Sequence, residues 1–300
     1  MSQKFGTYYI GRVQKLGILD EDLLVSAIKN PTTILRRGKL WTFINITSEN
    51  SNGVNYIFGR LSKYNPKGEV PVVDETSRTE KLRPEPNLLL ASSPFIYIPE
   101  HSGIAFLNVP GHIEVQTFIS RFSEIIEKTH QGFFVDCDIE LIADLKTFAA
   151  KIEALDGIFK IEAKVSPPNP LFSPLWQSLE TYLRERNTDR MTIVEDAPES
   201  QSLKTELKDL VRKASAQTED APFKPEKTIA VGDAAILMAA DGYGSGFITG
   251  RHLEKTVIIK TSETSLNFAF HKVPNPKDFY DKAFEMLQKI KEQRHMEHGE

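Results

Sequence analysis

The sequence predicts an α+β protein of two domains, a β-rich N-terminal domain with packed helices and a C-terminal α/β domain holding a βαβ unit and a β-meander. Three observations carry that expectation. Apolar and aromatic runs with period-2 alternation crowd the first half. The stretch Ile158–Leu183 reads as strand, proline corner and helix. Helical stripes separated by polar or glycine-containing breaks recur along the chain.

In chain order, Phe5, Tyr8, Ile10 and Val13 suggest a strand, and Asp20 caps a short helix carrying Leu23, Leu24, Ala27 and Ile28. Leu40–Ile46 and Val54–Leu61 read as a hairpin whose loop, Ser48 to Gly53, is longer than the tightest turns. Lys67–Pro86 is polar and proline-containing, an exposed and mobile excursion. Phe95–Ile98 and Ile104–Val109 make a second hairpin across Pro99–Gly103. Val115, Phe118, Ile119, Phe122, Ile125 and Ile126 form a helical stripe ending near Gly132, and Asp144 caps a helix that Gly157 ends.

In the stretch that follows, Phe159, Ile161, Ala163 and Val165 alternate with Lys160, Glu162 and Lys164. Pro167, Pro168 and Pro170 forbid the strand to continue, and Asn169 caps a helix through Leu183. With Met191–Val194 as a returning strand this is a βαβ unit, so the boundary falls between domains 1–156 and 157–300. Leu203–Ala214 and Ile229–Ala240 read as helices around a linker near 215–227. Phe247–Thr249, Val257–Lys260 and Leu266–Phe270 read as a meander before a last helix.

Composition is that of an ordinary globular chain, with 40% apolar and 26% charged residues. No apolar run reaches the ~20 residues of a transmembrane helix, and Met1–Lys15 lacks a signal-peptide core, so the expected location is cytoplasmic without membrane insertion. The single cysteine, Cys137, excludes an intrachain disulfide. Net charge is −4, yet Arg36, Arg37, Lys39, Arg60, Lys63 and Lys67 face only Glu49 among acids between Pro31 and Lys67. Interleaved with Tyr56, Phe58 and Tyr64, these six are the candidate nucleic-acid-binding residues, expected on one positive face.

Other constellations have simpler readings. Asp136, Asp138 and Glu140 share a strand face, but Val135, Cys137, Ile139 and Leu141 occupy the alternate positions, as in any half-buried strand, and no metal or cofactor is expected. Asp156, Glu162 and Lys164 follow the order of metal-dependent nucleases, in which two carboxylates hold Mg²⁺ and a lysine helps activate water. An Asp-Gly turn and a solvated Glu-x-Lys strand explain the same residues. Gly242, Gly244 and Gly246 follow a helix and open a strand, so they read as a C-cap and turn rather than a phosphate cradle.

The order Phe159–Val165, proline corner, helix, Met191–Val194, lysine-rich helix, Ala235–Gly242 and strands to Phe270 resembles the C-terminal half of the RexA-like phage-exclusion proteins. That resemblance implies a homodimeric, non-catalytic antiviral defence sensor that binds DNA rather than RNA with little sequence preference, together with a defence-system partner protein. It supplies no catalytic residues. The alternatives are the Asp156/Glu162/Lys164 nuclease and a scaffold that binds only protein.

Overall fold

The computed structural model describes residues 4–166, 183, 185–199, 201–216 and 229–294. The architecture is mixed α+β, with a large antiparallel sheet built mainly from the first half of the chain and a smaller sheet with helices from the second.

The large sheet runs β12-β1-β6-β5-β4-β3-β2, with β1 at Phe5–Gly17, β2 at Ile34–Arg36, β3 at Lys39–Ser51, β4 at Val54–Asp74, β5 at Thr79–Ile98, β6 at Gly103–Leu107 and β12 at Asn267–His271. β7 (Val135–Leu141) continues the edge of β1 that β12 begins. Alternation sorts the side chains to two faces. Trp41, Phe43, Ile57, Leu61, Phe95 and Phe106 are buried with Phe118 and Phe122 of α2 (Val115–Thr129) and Leu24 and Ile28 of α1 (Glu21–Lys29). Tyr8, Tyr56, Phe58 and Ile96 are buried on the other face, under Phe279, Tyr280 and Leu287 of α6 (Pro276–Arg294).

The second sheet runs β11-β10-β8-β9, from β8 (Gly157–Val165), β9 (Met191–Asp196), β10 (Gly244–His252) and β11 (Lys255–Lys260). It packs against α3 (Leu145–Glu153), α4 (Leu207–Ser215) and α5 (Val231–Ala240) around a core that includes Phe148, Ile161, Val211, Ile236 and Ile248. The expected caps are present: Asp20 accepts from the Leu23 N–H (2.8 Å) and Asp144 from the Lys146 N–H (2.9 Å).

Several expectations change. β8 and β9 pair antiparallel, Val165 opposite Met191 and Lys160 opposite Asp196, so no parallel βαβ unit exists there. The reason lies in β8 itself, whose Lys160–Glu162–Lys164 face is not buried, whereas parallel strands are covered on both sides. The helix expected from Asn169 and the linker at 215–227 fall almost wholly outside the described residues. The meander stops at two strands, because β12 leaves it to pair with β1.

The boundary at 156 also moves. Ala143 bridges Ser265, and the Leu266 N–H donates to the Ile142 carbonyl (2.7 Å), so the second unit enters and leaves the first at one point. Residues 266–294 return to the large sheet, since Phe268 and the apolar stripe of α6 find their partners on the face that holds Tyr8 and Tyr56. Arg12 and Gln14 tie the two units together. Arg12 Nε donates to the Asp241 carbonyl (2.9 Å), its Nη1 to the His101 carbonyl (2.7 Å), and Gln14 Nε2 to the Gly242 carbonyl (2.5 Å).

The hairpin loop proves as tight as such loops come. Ser51 opposes Val54 across Asn52 and Gly53, with φ of 53° and 85°, the two-residue geometry that Asn-Gly favours. The supposed excursion Lys67–Pro86 is a continuous antiparallel ribbon in which β4 and β5 run on together past the body of the sheet.

Candidate nucleic-acid interface

The basic candidates lie at the β2 end of the large sheet. β2 and β3 join through a two-residue turn, Arg36 opposite Lys39, with Arg37 and Gly38 at φ of 50° and 70°. Trp41 on β3 is in register with Ile34 on one side and Lys63 of β4 on the other. Lys63 Nζ lies 5.5 Å from the Trp41 ring centroid and Arg121 Cζ of α2 lies 5.8 Å from it. Both cations are within the range at which a ring attracts them.

Arg121 and Arg36 both grip Glu124, the former at 2.6 Å, and Lys39 Nζ donates to Asn65 Oδ1 at 2.6 Å. Burial pushes the Glu124 carboxyl up, but the hydrogen bonds from Arg36 and Arg121 outweigh it and hold the group below its ordinary value. The Trp41 indole N–H and Arg121 Nε have no hydrogen-bond partner among the described residues. Lys67, two residues beyond Asn65, stands exposed at the root of the ribbon.

Four of the six predicted cations, Arg36, Lys39, Lys63 and Lys67, therefore line the face that α2 packs against, and Arg37 caps their edge at the turn. Arg60 does not join them. It is three residues from Lys63, an odd step along a strand, so it points to the opposite face, where its Nη1 reaches Ser92 Oγ (3.3 Å) near Tyr8. Sequence reasoning missed Arg121 and the role of Trp41. The helical stripe held the clue, since Arg121 adjoins Phe118 and Phe122, which bury against this face.

The nuclease residues do not converge. Asp156 Oδ2 accepts the Leu253 N–H (3.1 Å), closing the turn after β10, while Glu162 ion-pairs with Lys160 (3.3 Å) six residues along, roughly 20 Å at strand rise. On β7 the alternation is as expected, with Asp136, Asp138 and Glu140 outward. That face is turned toward the second unit, where Arg190 Nη1 lies 3.9 Å from Asp136 and Glu140 opposes Arg12. Burial pushes Glu140 up to about 7, with Asp138 adding repulsion against the pull of Arg190 and Lys164. Among the described residues no three His, Cys, Asp or Glu side chains are grouped to hold a metal.

Gly242 and Gly244, at φ of 82° and 154°, form the turn between α5 and β10, as the order of elements predicts. Cys137 is buried, and burial pushes its thiol well up, which suits packing rather than nucleophilic attack.

Residues 22–220 match the family described as "Domain of unknown function (DUF4747)". The chain belongs to that family. The DUF4747 match begins inside α1, spans the whole basic strip and the ribbon, and runs past β9 and α4. No curated protein matches the chain. Among the described residues no helix is long and apolar enough to cross a membrane.

Proposed function

We propose that this chain is a non-catalytic nucleic-acid-binding module that contacts phosphate backbones through the strip Arg36, Arg37, Lys39, Lys63, Lys67 and Arg121. The observation that carries the reading is the arrangement at Trp41, where cations from β4 and α2 converge over one ring beside a turn bearing two more. Such a strip positions a polyanion without reading its bases, since phosphate contacts carry no sequence information. The resemblance to phage-exclusion proteins supplies the setting, a cytoplasmic antiviral sensor acting on DNA rather than RNA with a defence-system partner. Membership of the DUF4747 family adds no activity to it.

The test is fluorescence anisotropy on duplex and single-stranded oligonucleotides across a salt series. About five phosphates neutralised would give a log-log slope near −4.5 on duplex DNA, at ~0.9 per phosphate. Replacing Arg36, Arg37 and Lys39 together by alanine should flatten the slope by up to ~3. Arg60→Ala should leave it unchanged, because that side chain is on the other face. Absence of binding by the wild type at low salt would overturn the reading in favour of a protein-only scaffold.

A further inference from the structure

Beyond Tyr64 no other described strand pairs with β4, and β5 pairs with β6 only over Phe95–Ile98. The ribbon from Asn65 to Asp74 and back therefore projects roughly 30 Å as two strands alone. A lone two-stranded ribbon is at best marginally stable in water unless one of its faces is covered. Its edges resist strand addition, since the missing N–H of Pro71 faces outward on one and those of Pro84 and Pro86 on the other. What remains is a face.

The two faces differ. On one, Val70 and Val72 are partly covered beside Arg83 and Lys81. The other carries the pairs Lys67/Pro86, Glu69/Pro84, Pro71/Leu82 and Val73/Glu80, every member exposed, with Leu82 at 61% and Val73 at 75%. At its root is a hollow of about 550 Å³, bounded by Asn65, Lys67, Glu69, Pro84 and Pro86. The ribbon from Lys67 to Pro86 holds four cations and five anions, too balanced to seek nucleic acid.

We propose that this bare face docks on the same face of a second copy of the chain, the two ribbons lying antiparallel about a two-fold axis. The pattern is self-complementary. An axis between the second and third pairs sets Leu82 of each copy over the hollow of the other and brings Lys67 of each into the same row as Glu80 of the other, the reciprocal matching that an isologous contact requires. Eight residues a copy fall well short of the ~20–30 of a standard interface, so the dimer dissociates on dilution. The proposal does not rest on the nucleic-acid reading; the two share Lys67, which the dimer would take from the strip, while Leu82 belongs to the dimer face alone.

The experiment is sedimentation velocity on the full chain across a concentration series from micromolar to near-millimolar. The wild type should pass from monomer to dimer, and Leu82→Glu should raise the dissociation constant about tenfold or more. Lys67→Glu and Glu80→Lys should each weaken association, and the double charge swap should restore it, a recovery that damage to the ribbon fold would not produce. A wild type that stays monomeric, a dimer indifferent to Leu82→Glu, or a charge swap that fails to rescue would each overturn the proposal.

Discussion

β4 and β5 form one hydrogen-bonded ladder in two environments. From Ile57 to Leu61 and Phe95 to Ile98 every side chain but that of Arg60 is buried, on both faces of the sheet, whereas from Lys67 to Asp74 and Thr79 to Pro86 none is buried. The backbone pairing is continuous, so the difference between the regions isolates what side-chain burial adds to it. Hydrogen bonds exposed to water contribute little net stability, while each large apolar side chain removed from water contributes ~1.5–3 kcal/mol.

The comparison breaks if truncation costs the same in both regions. Phe95, fully buried between Phe43, Phe118 and Phe122, should cost ~3–5 kcal/mol as alanine in urea unfolding, through lost transfer energy and the cavity left behind. The body also governs charge. Glu140 is held above its ordinary value, so the folded state binds its proton more tightly than the unfolded chain. Its contribution to stability is then full below about 4.5 and is lost as pH rises through about 7. The fall is up to ~1.4 kcal/mol per pH unit, and Glu140→Gln should flatten it in thermal melts across that window.

At the body's own hairpin, Gly53→Ala should cost about 1–2 kcal/mol, because φ of 85° strains any residue with a Cβ although nothing crowds the site. The smallest effect belongs to the ribbon. Leu82→Ala should change the stability of the monomer by less than ~0.5 kcal/mol, and a larger loss at low concentration would show that the ribbon packs within its own chain.

Where local pattern and environment agree, the elements were legible. β7 alternates because one of its faces is buried, α2 shows its stripe because it lies on a sheet, and Asp20 and Asp144 cap as their positions suggest. The ribbon was illegible because proline argues against a strand interior. Pro71, Pro84 and Pro86 nonetheless stand in alternate pairs of the ladder, where a missing N–H that faces outward breaks no bond. Partner choice was hidden for another reason. Leu266–Phe270 reads equally well as a third meander strand or as an edge for β1, and only the aromatic ring partners Tyr8 and Phe279 decide it. The basic strip is visible in the sequence as a charge excess, but a charge count ignores strand parity, which turns Arg60 to the opposite face, and it cannot reach Arg121, which only the packing of α2 brings to Trp41.

The return of β12 to β1 sets an order of events during synthesis. The second unit, entered at Ala143 and left at Ser265, has all its described strands once β11 has emerged from the ribosome. The large sheet begins first and finishes last. Until Asn267–His271 arrives, the edge of β1 from Phe5 to Tyr9 lacks its partner, and Tyr8 lacks the rings of Phe268 and Phe279 that cover it. A nascent chain stalled shortly before residue 266 would hold a finished insertion inside an unfinished host, with an open, aromatic strand edge of the kind that chaperones shield.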